Sequence, residues 1–251
     1  GGITVGSEPL TISGTGFGGT GALRNKSGNN VYGGVVTLGA NARVVSDAGT
    51  FTLSNPGNIS GTGLTLTIGG AGNVLIGSVI ATGSGGVVKE GVGTAILTAG
   101  NTFTGGTTVK AGSLQIGNGG TTGSVTGAVL VESGARLVLQ RNNAYSFGST
   151  LTGAGTVEQS GTGVTTFAGS SPDFSGSVLL NAGTAVLGGA DAFGTGTVSF
   201  GGGVLRWGSG VSTDVSARLT AITSGVVAMI DTNGNDVVFA SSISGSGSLA
   251  K

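Results

Sequence analysis

The sequence predicts an all-β fold, a parallel β-solenoid, on three observations. Of its 251 residues, 56 are glycine, against a usual share of about 7%. Its apolar segments are short and bounded by turn formers, and the order of those segments repeats along the chain. Glycine at this density leaves hardly any window for a helix, since an interior glycine costs a helix about 1 kcal/mol relative to alanine.

The strand candidates run, in order, 35–38, 64–68, 95–97, 107–109, 113–116, 128–131, 136–139, 178–180, 185–187, 226–230 and 237–239. They are rich in valine, isoleucine, leucine and threonine, which suit a pleated surface. Most are closed by Gly, Ser, Thr, Asn or Asp. A helix is predicted in one place, 211–223, with Asp214 as its cap.

Repetition decides among sandwich, barrel and solenoid. Residues 230–251 align without gaps onto 68–89, an offset of 162, sharing Ile, Gly-Asn, Gly-Ser-Gly and the closing lysine. The block 85–117 recurs in diverged form at 155–188, where Phe103 corresponds to Phe174 and Gly112 to Gly183, both 71 apart. A third, truncated copy starts near 245. The whole of 1–251 therefore reads as a single β-helical segment. Repeats of three short strands cannot bury an apolar face alone, but stacked coils bury a continuous column. At roughly 22 residues per rung the chain supplies about 11 rungs.

Composition excludes several functions. Charged residues are 8%, ten acidic and ten basic, for a net charge of zero, so nucleic acid and anionic membrane have no basic footprint to meet. Without cysteine or histidine there is no disulfide framework, no thiolate metal site and no Ser-His-Asp mechanism. No apolar run reaches the roughly 18 residues of a membrane span. Catalytic residues, metal and cofactor are all expected to be absent. The glycine fingerprint at 16–21 lacks the helix that dinucleotide binding requires, and 69–73 and 188–191 are turns rather than calcium-binding nonapeptides.

Four residues are candidates for surface binding. Asp191, Asp214 and Asp236 lie 23 and 22 residues apart, about one rung each, and a column of carboxylates would call for a cation or a sugar. Aspartates at separate turns are the plainer assignment. Trp207, beside Arg206, is expected as an exposed aromatic anchor, whereas Phe103 and Phe174 are assigned to the interior.

The block 89–117 carries a longer signature: Lys89, Gly91, Gly93 and Thr94, apolar alternation, Gly100-Asn101, Phe103, Thr104-Gly105-Gly106-Thr107, a strand, Gly112 and a final apolar strand. It closely resembles the passenger-associated transport repeat of bacterial autotransporters. The second copy keeps Gly155, Phe174, Gly176 and Gly183 but has Ser170-Ser171-Pro172-Asp173 for Asn101-Thr102, and Ser177 for Gly106. The resemblance implies a right-handed parallel β-helix, the passenger of a type V secretion system, at the surface of a Gram-negative bacterium, anchored to its outer membrane or secreted. It implies a C-terminal translocator barrel as partner, absent from this chain. The expected function is structural, supporting secretion and folding and serving as a stalk, without enzymatic activity. An adhesin or self-association module binding glycan, host matrix or another copy is the alternative. A polysaccharide-cleaving β-helix is weaker, since the ten acids are not visibly grouped. Lack of cysteine suits the export route, because periplasmic disulfides cannot trap the chain before threading.

Overall fold

The computed structural model describes residues 2–251. Its strands stack in parallel, in two compact units: residues up to Asn118 with Thr122–Val129, and Gly119–Thr121 with Leu130–Lys251.

In the first unit one parallel stack runs Thr4–Val5, Asn30–Tyr32, Thr50–Leu53, Asn73–Ile76, Thr94–Leu97, Ser113–Ile116. A second is organised around the long strand Val36–Ser46, which pairs with Leu10–Gly14 and Leu23–Asn25 before it and with Ile59–Ser60 and Leu66–Gly69 after it. Val87–Lys89 and Thr107–Val109 follow. One coil shows the plan: Leu66–Gly69, a corner, Asn73–Ile76, a corner, Ile80–Ala81. The next coil opens with Val87 on Leu66, 21 residues on. In the second unit the stacks are Arg136–Leu139, Thr156–Gln159, Ser177–Leu180, Val198–Phe200, and Tyr145–Phe147, Val164–Phe167, Thr184–Leu187, Val204–Trp207, Val227–Asp231, Ser248–Ala250.

About eleven coils result, as the rung length predicts. Coil length varies with the corners, from 19 residues between Thr94 and Ser113 to 28 between Gly14 and Ala42. Every second side chain turns inward. Val74, Ala95 and Leu114 form one buried column, and Ile76, Leu97 and Ile116 another. Aromatic rings share the interior of the second unit: Phe147 lies 5.8 Å from Phe167, which meets Phe193 edge-on at 5.0 Å.

Two expectations are corrected. The predicted helix over 211–223 is a single 3-10 turn, Ser216–Arg218. Its N-cap is Val215 rather than Asp214 and carries no side-chain cap; the Asp214 carboxylate, one residue earlier, accepts the Ser216 N–H at 2.7 Å. Segment 237–239 forms no strand; Val238 is 76% exposed, so there is no burial to reward a paired backbone there.

Candidate functional site

The repeat signature comes together at one corner of the first unit. Lys89 stands in an inward column, paired between Ile68 and Val109, and is only 1% exposed. An ammonium in an apolar interior needs acceptors. Its Nζ donates to three corner carbonyls: Glu90 at 2.8 Å, Gly91 at 2.7 Å and Ala111 of the next coil at 3.0 Å. Burial pushes its pKa down to about 8, opposed by the charge of Glu90. Lys89 is therefore still an ammonium at neutral pH. The Glu90 carboxylate is held in turn by Arg43 at 2.5 Å.

Glycines let the corners stack this closely. At Gly112, φ is +64° and a Cβ would sit 2.5 Å from the carbonyl oxygens of Gly91 and Gly93 in the preceding coil. Gly105 has no left-handed φ, yet its Cβ would stand 2.3 Å from the Ser84 carbonyl oxygen. Backbone carbonyls likewise crowd Gly91, Gly93, Gly155, Gly176 and Gly183. Phe103 and Phe174 are fully buried, as assigned from the sequence.

In the second copy Gln159 takes the place of Lys89, between Leu139 and Leu180. Its Nε2 donates to Gly161, the counterpart of Gly91, at 2.8 Å, while its buried Oε1 has no partner. Beside it, Glu158 pairs with Arg136 and accepts from Asn181 Nδ2 at 2.6 Å.

The surface candidates do not assemble. Trp207, expected as an exposed anchor, is fully buried: it packs 5.8 Å from Phe239 and its Nε1–H donates to the Thr213 carbonyl at 2.9 Å. Inward alternation along Val204–Trp207 places it there, with Arg206 facing out toward Asp231 at 2.6 Å. Asp191, Asp214 and Asp236 are exposed, but Asp214 accepts the backbone N–H of Ala240 at 3.0 Å. Its neighbour in the next coil is thus four residues past Asp236, and the predicted column does not form. N–H groups of Ala240 and Ser216 hold the Asp214 carboxyl below the usual range, and Asp191 lies near Arg218. Among the described residues no three acids group to hold a metal.

Residues 87–116 and 157–187 match the family model of the passenger-associated-transport-repeat. The "Adhesin BmaC autotransporter" of Brucella suis biovar 1 (strain 1330) is 36% identical over 126 residues, which is 48% of this chain and 4% of that relative. Two stretches of the chain thus carry the passenger-associated transport repeat, and about half of the chain is similar to part of an autotransporter adhesin. The chain spans only a small fraction of the length of this curated relative. No solved structure matches it significantly.

One transport repeat lies in each unit, and comparing them exposes a residue that the sequence reading passed over. Asn101 is 4% exposed; its Oδ1 accepts the Ile80 N–H of the preceding coil at 2.8 Å and its Nδ2 donates to Ser124 of the following coil at 2.8 Å. In the second repeat Ser171 does the first of these jobs, its Oγ accepting the Leu151 N–H at 2.9 Å. The change from Asn-Thr to Ser-Ser-Pro-Asp thus preserves a buried acceptor. Gly100-Asn101 within the signature was the available signal.

Proposed function

We propose that this segment is the structural, secretion-supporting part of a Gram-negative autotransporter passenger, one that aids its export and folding and serves as a stalk at the cell surface. The observation that carries this is how the matched repeats obtain their partners. Each coil of a transport repeat takes its backbone hydrogen bonds and its apolar contacts from the neighbouring coil. Such a chain folds by adding coils as it emerges, which suits threading through an outer-membrane barrel. The partner in this reading is a C-terminal translocator barrel of the same polypeptide, and the location is the outer face of the outer membrane. Among the described residues no helix is long and apolar enough to cross a membrane. In this reading the segment performs no chemistry of its own, in keeping with acids that pair with arginines or turn amides rather than with each other.

A second reading, an adhesive surface, is favoured by the adhesin name of the Brucella relative. Deleting residues 87–116 and 157–187 from the full-length protein in its host separates the two. Loss of surface display supports the export reading; normal display with loss of bacterial adhesion or clumping supports the adhesive one and overturns the first.

A further inference from the structure

The two transport repeats build the same corner around different side chains. A Cβ on Gly112 would sit 2.5 Å from the carbonyl oxygens of Gly91 and Gly93; one on Gly183 would sit 2.3 and 2.4 Å from those of Gly161 and Gly163. In the first repeat the carbonyls of Glu90, Gly91 and Ala111 converge on the Lys89 ammonium, at 2.8, 2.7 and 3.0 Å. Their counterparts in the second repeat are the carbonyls of Ser160, Gly161 and Ala182.

Gln159 stands in the place of Lys89, but its side chain is one bond shorter and ends in a neutral amide. Its Nε2 reaches the Gly161 carbonyl, at 2.8 Å. Among the described residues nothing donates to the carbonyls of Ser160 and Ala182. Gln159 is 1% exposed, and its buried Oε1 has no partner either. That oxygen shares its amide carbon with Nε2, so it stands at this same corner. Turning the amide round gives no relief, because Oε1 would then face the Gly161 carbonyl. Buried acceptors without a donor forfeit their hydration and gain nothing in return. We propose that this corner binds a monovalent cation of ammonium's size, a potassium or ammonium ion, through Gln159 Oε1 and the carbonyls of Ser160 and Ala182.

The first repeat shows the size and charge such a cradle accepts. Oxygens at 2.7–3.0 Å from Nζ stand wider than the roughly 2.3–2.6 Å of calcium or 2.0–2.1 Å of magnesium. Neutral backbone carbonyls are the ligands that replace potassium's water shell in channel filters. Glu158, beside Gln159, is already met by Arg136 and Asn181, so it brings no free carboxylate to favour a divalent ion. Ser160 and Ala182 are half-buried, which leaves the ion a way in and water to complete its shell. The first repeat thus carries its own cation, and the second takes one from the medium. Anything bound only by the folded state stabilises it, so the stability of the second repeat follows the salt present.

Urea unfolding of the purified chain at fixed ionic strength tests this, with choline chloride replaced stepwise by potassium, ammonium or sodium chloride. Potassium and ammonium are each expected to raise the midpoint along a saturating curve, by about 0.3–0.5 M urea at tenfold above the dissociation constant. Sodium, smaller than the cradle, is expected to shift it less. Gln159→Lys brings its own ammonium to the corner and is expected to abolish the response. Should Gln159→Lys fail circular dichroism as a folded chain, Lys89→Gln replaces it. That change creates a second site of the same kind, and the potassium response is expected to about double. A wild-type midpoint equal in potassium and choline chloride means that water alone satisfies the corner, and overturns the proposal. So does an equal shift with sodium, a response that Gln159→Lys retains in full, or one that Lys89→Gln leaves unchanged in size.

Discussion

Lys89 shows what one residue contributes to the transport repeat. Three carbonyls around an ammonium satisfy acceptors that the corner leaves unpaired, and the lysine in exchange sits in the apolar interior. Burial lowers its pKa to about 8 in the folded chain, against about 10.4 unfolded. Between those values the unfolded state still holds the proton that the folded state has released, so raising the pH across that window stabilises the fold. Below pH 8 both states are protonated and the destabilisation by burial is fully present. Lys89→Gln copies the second repeat and isolates the effect. The urea midpoint of the wild type is expected to rise relative to this variant between pH 8 and about 10.4, and a difference flat across that range would refute the assignment. Tyr32, whose pKa burial raises, works the other way above pH 10, but it does so in both proteins and drops out of the comparison.

Corners and strands are the next scale, and glycine does two separate things there. At Gly112 both the left-handed φ and the nearness of the preceding coil exclude a side chain; at Gly105 only the nearness does. Gly112→Val should therefore destabilise by about 2–5 kcal/mol, from backbone strain together with overpacking, and Gly105→Val by about 1–3 kcal/mol from overpacking. Gly100 has open space around it and no left-handed φ, so Gly100→Ala should stay within about 0.5 kcal/mol. Equal urea midpoints for Gly112→Val and Gly100→Ala would mean that the coils are not packed as described. Much of this scale was legible beforehand. Strands with clean apolar runs, such as Ser113–Ile116 and Arg136–Leu139, stood out, as did the signature glycines. Thr50–Leu53, Thr156–Gln159 and Val204–Trp207 did not, because their outward positions hold Thr, Glu or Arg and an inward one holds Gln159. In a parallel stack the partner strand lies about twenty residues away, so no local turn signal announces it. Trp207 illustrates the same difficulty at the candidate site: its neighbour Arg206 suggested exposure, but alternation along a strand sends adjacent residues to opposite faces. The aspartate column failed because coil length is uneven. A spacing of 22 or 23 residues means one rung only where the corners are equal, and here the step from Asp214 to its neighbour Ala240 is 26.

For the molecule as a whole, the physical claim is modular addition: coils interact with their neighbours and stability sums along the stack. Register makes that testable within the first unit. Ala42 pairs with Leu66, which pairs with Val87, and Phe51 with Val74, which pairs with Ala95. Removing residues 66–86 deletes one full coil and lets Val87 follow Thr65, so Val87 stacks on Ala42 and Ala95 on Phe51 with every inward side chain still inward. The shortened chain is expected to fold to the same β-rich spectrum, with a lower urea midpoint and a smaller m-value, since less surface is exposed on unfolding. Removing only residues 66–76 deletes an odd half-coil. Because side chains alternate, that shift turns Ile80 and the strands behind it to the wrong face, and this chain is expected not to unfold cooperatively. If the two deletions behave alike, nearest-neighbour stacking is not what holds the chain together, and the proposed coil-by-coil export loses its physical basis.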